Sequence, residues 1–314
     1  MGSERTFPTF PARLIALDWG TTSLRGYLIA ADGSIIEQRA GGKGIMQIEG
    51  GQFATALDAP CRDWLIAHPQ AGLIASGMIG SKQGWIEAPY CPCPANATAL
   101  AGQMVRISLE TINLETKRTL WIVPGVSTID PASSVPDVMR GEETQIIGAI
   151  PVTGAHLVVL PGTHSKWAWV EDGAITRFSS WMTGEVYAAL TQHTILGRSM
   201  QLDAAHDAAA FARGVRYGFE QPAQLLSRIF SARTLGLFGS LSDAAQSSYL
   251  SGVLIGTEIG ATAGSGSQMP PAILLGSNPL VQRYAAAFAA TGLKAAAGPD
   301  DCAARGLFRL AQSA

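Results

Sequence analysis

The chain has 314 residues, 47% of them hydrophobic and 15% charged, with a formal net charge of −2. This is the composition of a folded globular protein, and the length favours two cores over one. No Lys/Arg cluster recommends nucleic acid as a partner, and no apolar run is long enough to span a membrane.

Residues 1–13 lack a signal-type apolar segment, which points to a cytoplasmic protein. A buried strand is expected at Leu14–Leu17, followed by the turn Asp18-Trp19-Gly20-Thr21-Thr22-Ser23. A second strand then runs over Leu24–Ala30, and a third begins at Ile35. Asp32-Gly33 between the last two is a strong hairpin signal. Helical spacing of Phe53, Ala56, Leu57, Cys61, Trp64 and Leu65 predicts a helix over 51–67. Cys91 and Cys93 have no second Cys/His pair at zinc spacing, so the four cysteines read as reduced thiols. Glu142 and Glu143 open another helix. Pro151 and Gly154 then interrupt the pattern, dividing the chain into domains 1–150 and 151–314.

The second half opens as the first does. A strand at His156–Leu160 leads into Pro161-Gly162-Thr163-His164-Ser165-Lys166, then a strand at Trp167–Val170, the turn Glu171-Asp172-Gly173 and a strand over 174–182. A repeat at this long spacing implies duplicated domains, not a solenoid. Helices are expected over 184–196, 222–236 and 242–262. A buried strand at 272–275 ends in Gly276-Ser277-Asn278-Pro279, with Asn278 as N-cap and Pro279 as first helical residue of a helix to about 290. A last helix is expected over 301–311.

Turns of glycine and hydroxyl residues let backbone N–H groups approach a phosphate. Two related ones suit a polyphosphate, and Asp18 offers a carboxylate for Mg²⁺ through water. The chain contains no Walker A pattern, no G-x-G-x-x-G fingerprint and no G-x-S-x-G elbow.

The order of these elements resembles the actin/hexokinase/Hsp70 superfamily. Asp18–Ser23 is similar to its first phosphate motif, Pro161–Lys166 to its second, and Ile273–Asn278 to its adenosine motif. Residues 140–145 and 303–307 resemble its two connecting segments. The segments Asp18–Arg25, Ser76–Ser81, Trp85–Tyr90, Pro136–Gln145, Leu160–Trp167 and Met182–Glu185 narrow the resemblance to the 2-dehydro-3-deoxygalactonokinase family, over nearly the whole chain.

The resemblance implies an α/β fold of two ribonuclease H-like domains with a central nucleotide and substrate cleft. It also implies ATP- and Mg²⁺-dependent phosphorylation of 2-dehydro-3-deoxy-D-galactonate at the 6-hydroxyl. Gly20, Thr21, Thr22, Ser23, Gly162, Thr163, His164, Lys166, Gly276, Ser277 and Asn278 would bind the nucleotide. Asp18 would direct the metal. The superfamily's acidic residue at the start of the second turn is replaced here by Pro161, which shifts metal handling toward Asp18 and the connecting-segment acids. Glu142 is the expected base, with Glu143 and Asp137 as alternatives, because a carboxylate must orient and deprotonate the accepting hydroxyl. Of the five lysines, Lys43, Lys82 and Lys166 sit in Gly/Ser-rich turns. Lys82, with Gln83 and Trp85, is the expected carboxylate-binding group, and Arg25 and Arg140 are next in line. Trp85 and Tyr90 read equally well as pocket wall or core. Three other readings stay open: a kinase of another sugar acid or amino sugar, an ATP-binding regulator, and a phosphohydrolase. The partners expected are small molecules, and a homodimer is left open.

Overall fold

The computed structural model of the protein describes residues 13–109, 118–264 and 269–314. The N-terminal segment and Lys117 lie outside them. In chain order the first half gives β1 (Arg13–Trp19), β2 (Ser23–Ala30), β3 (Ile35–Lys43), α1 (Phe53–Ala67), β4 (Gly72–Ser76), β5 (Tyr90–Pro92) and α2 (Ala97–Ala101). It continues with β6 (Val105–Ser108), β7 (Thr119–Ile122), β8 (Gly125–Ile129), β9 (Pro136–Met139) and α3 (Glu142–Ala149). The second half gives β10 (Ala155–Leu160), β11 (Ser165–Glu171), β12 (Ala174–Trp181), α4 (Thr183–His193), α5 (Ala208–Glu220), α6 (Leu225–Arg228), α7 (Ser231–Leu237) and α8 (Asp243–Ala263). It closes with β13 (Ala272–Leu274), α9 (Asn278–Ala290), β14 (Ala295–Ala297) and α10 (Cys302–Gln312).

Two sheets share one design. The first has the order β3-β2-β1-β4-β7-β6: an antiparallel meander, with β4 and then β7 parallel beside it. The second has the order β12-β11-β10-β13-β14, with β13 and β14 likewise parallel. This meander-plus-parallel order is the ribonuclease H-like arrangement, and it occurs twice. Its central strands are apolar runs because both faces are covered: Leu14–Leu17 and Leu157–Leu160 are buried. The Asp-Gly turns close as hairpins, with Gly33 at φ 86°, Asp172 at 46° and Gly173 at 75°.

The chain divides into two compact units. One comprises the chain up to Ala155 with Trp169–Phe178 and Pro299–Ala314; the other comprises His156–Ala168 and Ser179–Gly298. In the first, α1 lays Phe53, Leu57, Cys61, Trp64 and Leu65 into a core with Ile15, Leu17 and Leu73. Helices α3 and α10 cross with almost no space between their backbones. A Cβ on Gly148 would lie 1.9 Å from the Cys302 carbonyl oxygen, and one on Gly306 would lie 1.9 Å from that of Thr144. In the second unit, α5 and α8 cross the same way, through Gly214 and Gly218 facing Gly252 and Gly256.

Some boundaries differ from expectation. The predicted 222–236 helix is two short helices, α6 and α7, behind a 3₁₀ turn at Pro222–Gln224. Helix α9 begins one residue early: Ser277 holds the N-cap position, because Gly276, at φ 142°, turns the chain before Asn278 is reached.

Adding one methyl group at the α3–α10 crossing forces main chains apart. Gly306→Ala is expected to destabilise the protein by about 3 kcal/mol, the upper range for overpacking. Gly102→Ala, whose Cβ would meet nothing closer than 3.4 Å, should be near neutral; equal denaturation midpoints for the two variants would contradict this packing.

Candidate active site

The first glycine-hydroxyl turn, Gly20–Ser23, is built from the end of β1. Trp19 is fully buried, meets Phe53 edge-on at 6.2 Å, and donates its indole N–H to the Lys43 carbonyl at 2.9 Å. That bond brings the end of β3 against the turn. The Gly20 N–H donates to the Ser23 carbonyl at 2.9 Å, while Ile45 and Met46 donate to the carbonyls of Gly20 and Thr21. Gly44 permits this approach, since a Cβ there would lie 2.3 Å from the Thr21 oxygen. Thr21 and Thr22 are left exposed, with Ser23 half-buried.

Asp18 faces Arg25 across the hairpin, its carboxylate 3.8 Å from the guanidinium. Burial raises its pKa, and Arg25 opposes the rise. Among the described residues no three His, Cys, Asp or Glu side chains gather as a metal cluster. One carboxylate completed by phosphate oxygens and water is, however, the donor set Mg²⁺ accepts in nucleotide enzymes. A divalent ion would also relieve the desolvated charge of Asp18, so the residues present fit it.

Two further backbone segments close on this edge. Ser76, at the end of β4, is in register with Asp18. Gly77 follows at φ 94°, its missing Cβ 2.8 Å from the Trp19 carbonyl oxygen; Gly141 follows β9 at φ 106°, its missing Cβ 3.2 Å from the Gly77 Cα. The N-terminus of α3 thereby reaches the end of β1. Glu142 is half-buried and accepts the Arg140 N–H at 2.9 Å. Glu143 is fully buried and accepts the Gly141 N–H at 2.7 Å and the Thr144 hydroxyl at 3.0 Å. Burial, and secondly the charge of Glu142, lifts its pKa to about 8. Glu143 therefore holds a proton at neutral pH and is poorly suited to take another. Asp137 sits in β9 and accepts its neighbour's N–H from Val138 at 2.7 Å.

The loop after β4 carries Lys82 and Gln83, both exposed. Trp85 stacks on Phe53 at 5.9 Å and packs against the first core, so its ring is part of the wall of that core. Arg140 is 9% exposed; it donates to the Ala88 carbonyl at 2.8 Å and lies over the Tyr90 ring at 4.3 Å. Its Nε and Nη1 are buried without a hydrogen-bond partner among the described residues. The guanidinium thus fastens the far side of the Lys82 loop.

In the second unit, Pro161–Lys166 links β10 to β11. Thr163 and His164 are exposed, whereas Lys166 is buried and donates to the Ser180 hydroxyl. His164 pairs with Glu185 at 2.5 Å. The missing Cβ of Gly276 points at the Pro161 carbonyl oxygen, 3.5 Å away, so Gly276 borders this turn, with Ser277 and Asn278 following it in the chain.

A family model described as 2-keto-3-deoxy-galactonokinase matches residues 18–310. The chain belongs to this family. The 2-keto-3-deoxy-galactonokinase match spans both glycine-hydroxyl turns, all of α3 and most of α10. A Rhizobium meliloti (strain 1021) protein named "Probable 2-dehydro-3-deoxygalactonokinase DgoK1" is 38% identical over 295 residues, 92% of this chain and 93% of that one. The Escherichia coli (strain K12) 2-dehydro-3-deoxygalactonokinase is 32% identical over 292 residues, 93% of this chain and 94% of that one. A crystal structure of a Sinorhizobium meliloti protein given the same enzyme name superposes with a TM-score of 0.81 at 35% identity, covering 95% of this chain and 98% of that one.

The raised pKa of Glu143 has a thermodynamic signature. The folded state keeps this proton from the ordinary 4.5 up to about 8, while the unfolded chain releases it. Stability from this group is complete below the ordinary value and is lost as pH rises toward 8. The melting temperature of Glu143→Gln relative to the parent should therefore rise steadily between pH 5 and pH 8. A difference that stays flat would show that Glu143 is ionised in the folded protein.

Proposed function

We propose that this kinase-family chain transfers the γ-phosphoryl group of ATP to the 6-hydroxyl of 2-dehydro-3-deoxygalactonate, in the cytoplasm. The observation that carries the assignment is the meeting of Trp19, Gly77 and Gly141, which gathers a metal-directing carboxylate, a phosphate turn and a second carboxylate at one edge of a sheet, within a chain of this family. A regulator needs the phosphate turn but not the second acid.

In this reading the N–H groups and hydroxyls of Thr21–Ser23, in a turn that Gly20 closes, receive phosphate oxygens on the first unit; on the second, those of Gly162–His164 do so and Gly276–Asn278 borders the adenosine. Bound Mg²⁺ neutralises charge on the phosphates, and Asp18 is the residue that would hold it, through water. Glu142 accepts the proton of the 6-hydroxyl while that oxygen bonds to the γ-phosphorus and the bond to the β-phosphate oxygen breaks. Positioning and charge stabilisation supply most of the acceleration in such transfers. Lys82 meets the substrate carboxylate at the end remote from the reacting hydroxyl, and Arg140 fixes the loop that carries Lys82.

A coupled assay of ADP release over a panel of 2-keto-3-deoxy sugar acids tests the assignment. Strong stimulation by 2-dehydro-3-deoxygalactonate is expected. Turnover independent of any acid would indicate an ATPase instead.

Asp18→Asn keeps size and hydrogen bonding but removes the charge, and should lower kcat about a hundredfold. Most of kcat surviving at saturating Mg²⁺ would contradict the role given to Asp18. A charge-assisted contact to a carboxylate contributes about 1.5–3 kcal/mol when enclosed. Lys82→Ala should therefore raise KM for the acid about tenfold and leave KM for ATP unchanged. If instead ATP is weakened and the acid spared, substrate and nucleotide have been assigned to the wrong loops.

A further inference from the structure

Helix α8 is buried over nearly its whole length, and near the C-terminal end of its buried stretch stands a carboxylate, Glu258, only 1% exposed. Placing a charge there is costly, and a well-packed apolar residue would serve stability as well or better. Its surroundings suggest what the carboxylate does instead. Oε1 accepts the indole N–H of Trp167 at 2.6 Å. Oε2 accepts two hydroxyls, that of Thr183 and that of Tyr284, the latter at 2.8 Å. Tyr284 is in turn 2.8 Å from the Ser165 hydroxyl. An indole can only donate, and with Tyr284 donating to Glu258, Ser165 donates to Tyr284. Every proton in the network then points toward one carboxylate.

Three of the four donors come from elements that hold the 161–166 turn. Ser165 and Trp167 begin β11 directly after it. Thr183 is the first residue of α4, whose opening turn is pressed against the same loop. A Cβ on Gly184 would lie 2.5 Å from the Gly162 carbonyl oxygen and 2.9 Å from the Thr163 Cα. The Glu185 N–H donates to the Thr163 carbonyl at 3.1 Å, and the Glu185 carboxylate meets His164 at 2.5 Å. The turn is thus fastened on one side by its own strand and on the other by α4, and both fastenings end on Glu258. Burial outweighs the three donated bonds and lifts the Glu258 pKa to about 7.

We infer that Glu258 is a positioning residue for nucleotide phosphate: by joining Ser165, Trp167 and Thr183 through Tyr284 and its own two oxygens, it sets the backbone of Gly162–His164 in the shape that receives the phosphates. It touches neither nucleotide nor sugar acid itself. This inference rests on the reading of the 161–166 turn as a phosphate site.

The test is steady-state kinetics of Glu258→Gln, with Thr163→Val as the reference for the turn itself. Glutamine keeps the volume and one acceptor but replaces the other with a donor, so either the Trp167 indole N–H faces a donor or both hydroxyls must turn away. Expected is a rise in KM for ATP of about tenfold with KM for the sugar acid within twofold, as for groups that act by positioning one substrate. If Thr163→Val raises KM for ATP and Glu258→Gln does not, the inference fails while the phosphate reading stands. If Thr163→Val is also silent, the reading fails and takes the inference with it. A fall in melting temperature accompanied by equal changes in both KM values would assign Glu258 a purely structural part and overturn the proposal. Should Glu258→Gln not fold, Tyr284→Phe removes a single hydroxyl and cuts the link to Ser165; about a threefold rise in KM for ATP alone is expected, and no rise counts against the proposal.

Discussion

Main chain touching main chain is the constraint on which the edge that carries Asp18 depends. At Trp19, Gly77 and Gly141 three backbone segments come together with no side chain between them, and both glycine-sized gaps, at Gly77 and Gly141, also demand positive φ. Only glycine meets both demands without strain. The consequence is geometric: the end of β1, the end of β4 and the start of α3 lie within reach of one small ligand group. Side-chain packing elsewhere sets the positions of the strands, but this junction decides that Asp18 and Glu142 share an edge.

Among the described residues, each unit also buries one glutamate completely, and the two are bonded differently. Glu143 receives a backbone N–H from Gly141 and a hydroxyl from its neighbour Thr144, so its bonds stay within the first turn of its own helix. Glu258 receives bonds from three other elements, β11, α4 and α9. A carboxylate bonded locally shapes a helix terminus. One bonded across elements ties them to a common point, and shifting it would move all of them.

The sequence made much of this legible, for reasons that differ by element. Asp-Gly turns and apolar runs announced both meanders, because hairpin chemistry is local and period and turn residues agree. The two turns at 20–23 and 161–166 stood out through their hydroxyl and glycine content. Helix α5 was not foreseen: its buried stripe is Ala210, Phe211, Gly214, Val215 and Gly218, where glycine reads as a helix breaker unless the partner glycines of α8 are known. The same holds for Gly77 and Gly141, whose meaning lies in what they touch. Glu258 carried a faint signal, a lone acid deep in a small-residue helix. Its partners Ser165, Thr183 and Tyr284 are scattered over 120 positions, and no periodicity links them. Trp85 could not be divided between pocket and core by residue type; its stack on Phe53 gives it to the wall of the core.

The crossing of α3 and α10 bears on how the protein is made. Helix α10 lies about 150 residues downstream of α3, yet it fills the groove that the Gly148 and Gly306 contacts define in the first unit. While the ribosome is still making the second unit, the first therefore stands with one side of its core open. The entropy of closing so long a loop grows only slowly with its length, but the search is slow compared with local pairing. The apolar face that awaits α10 thus stays exposed while the second unit is made, and the first unit is completed only after the second has been synthesised.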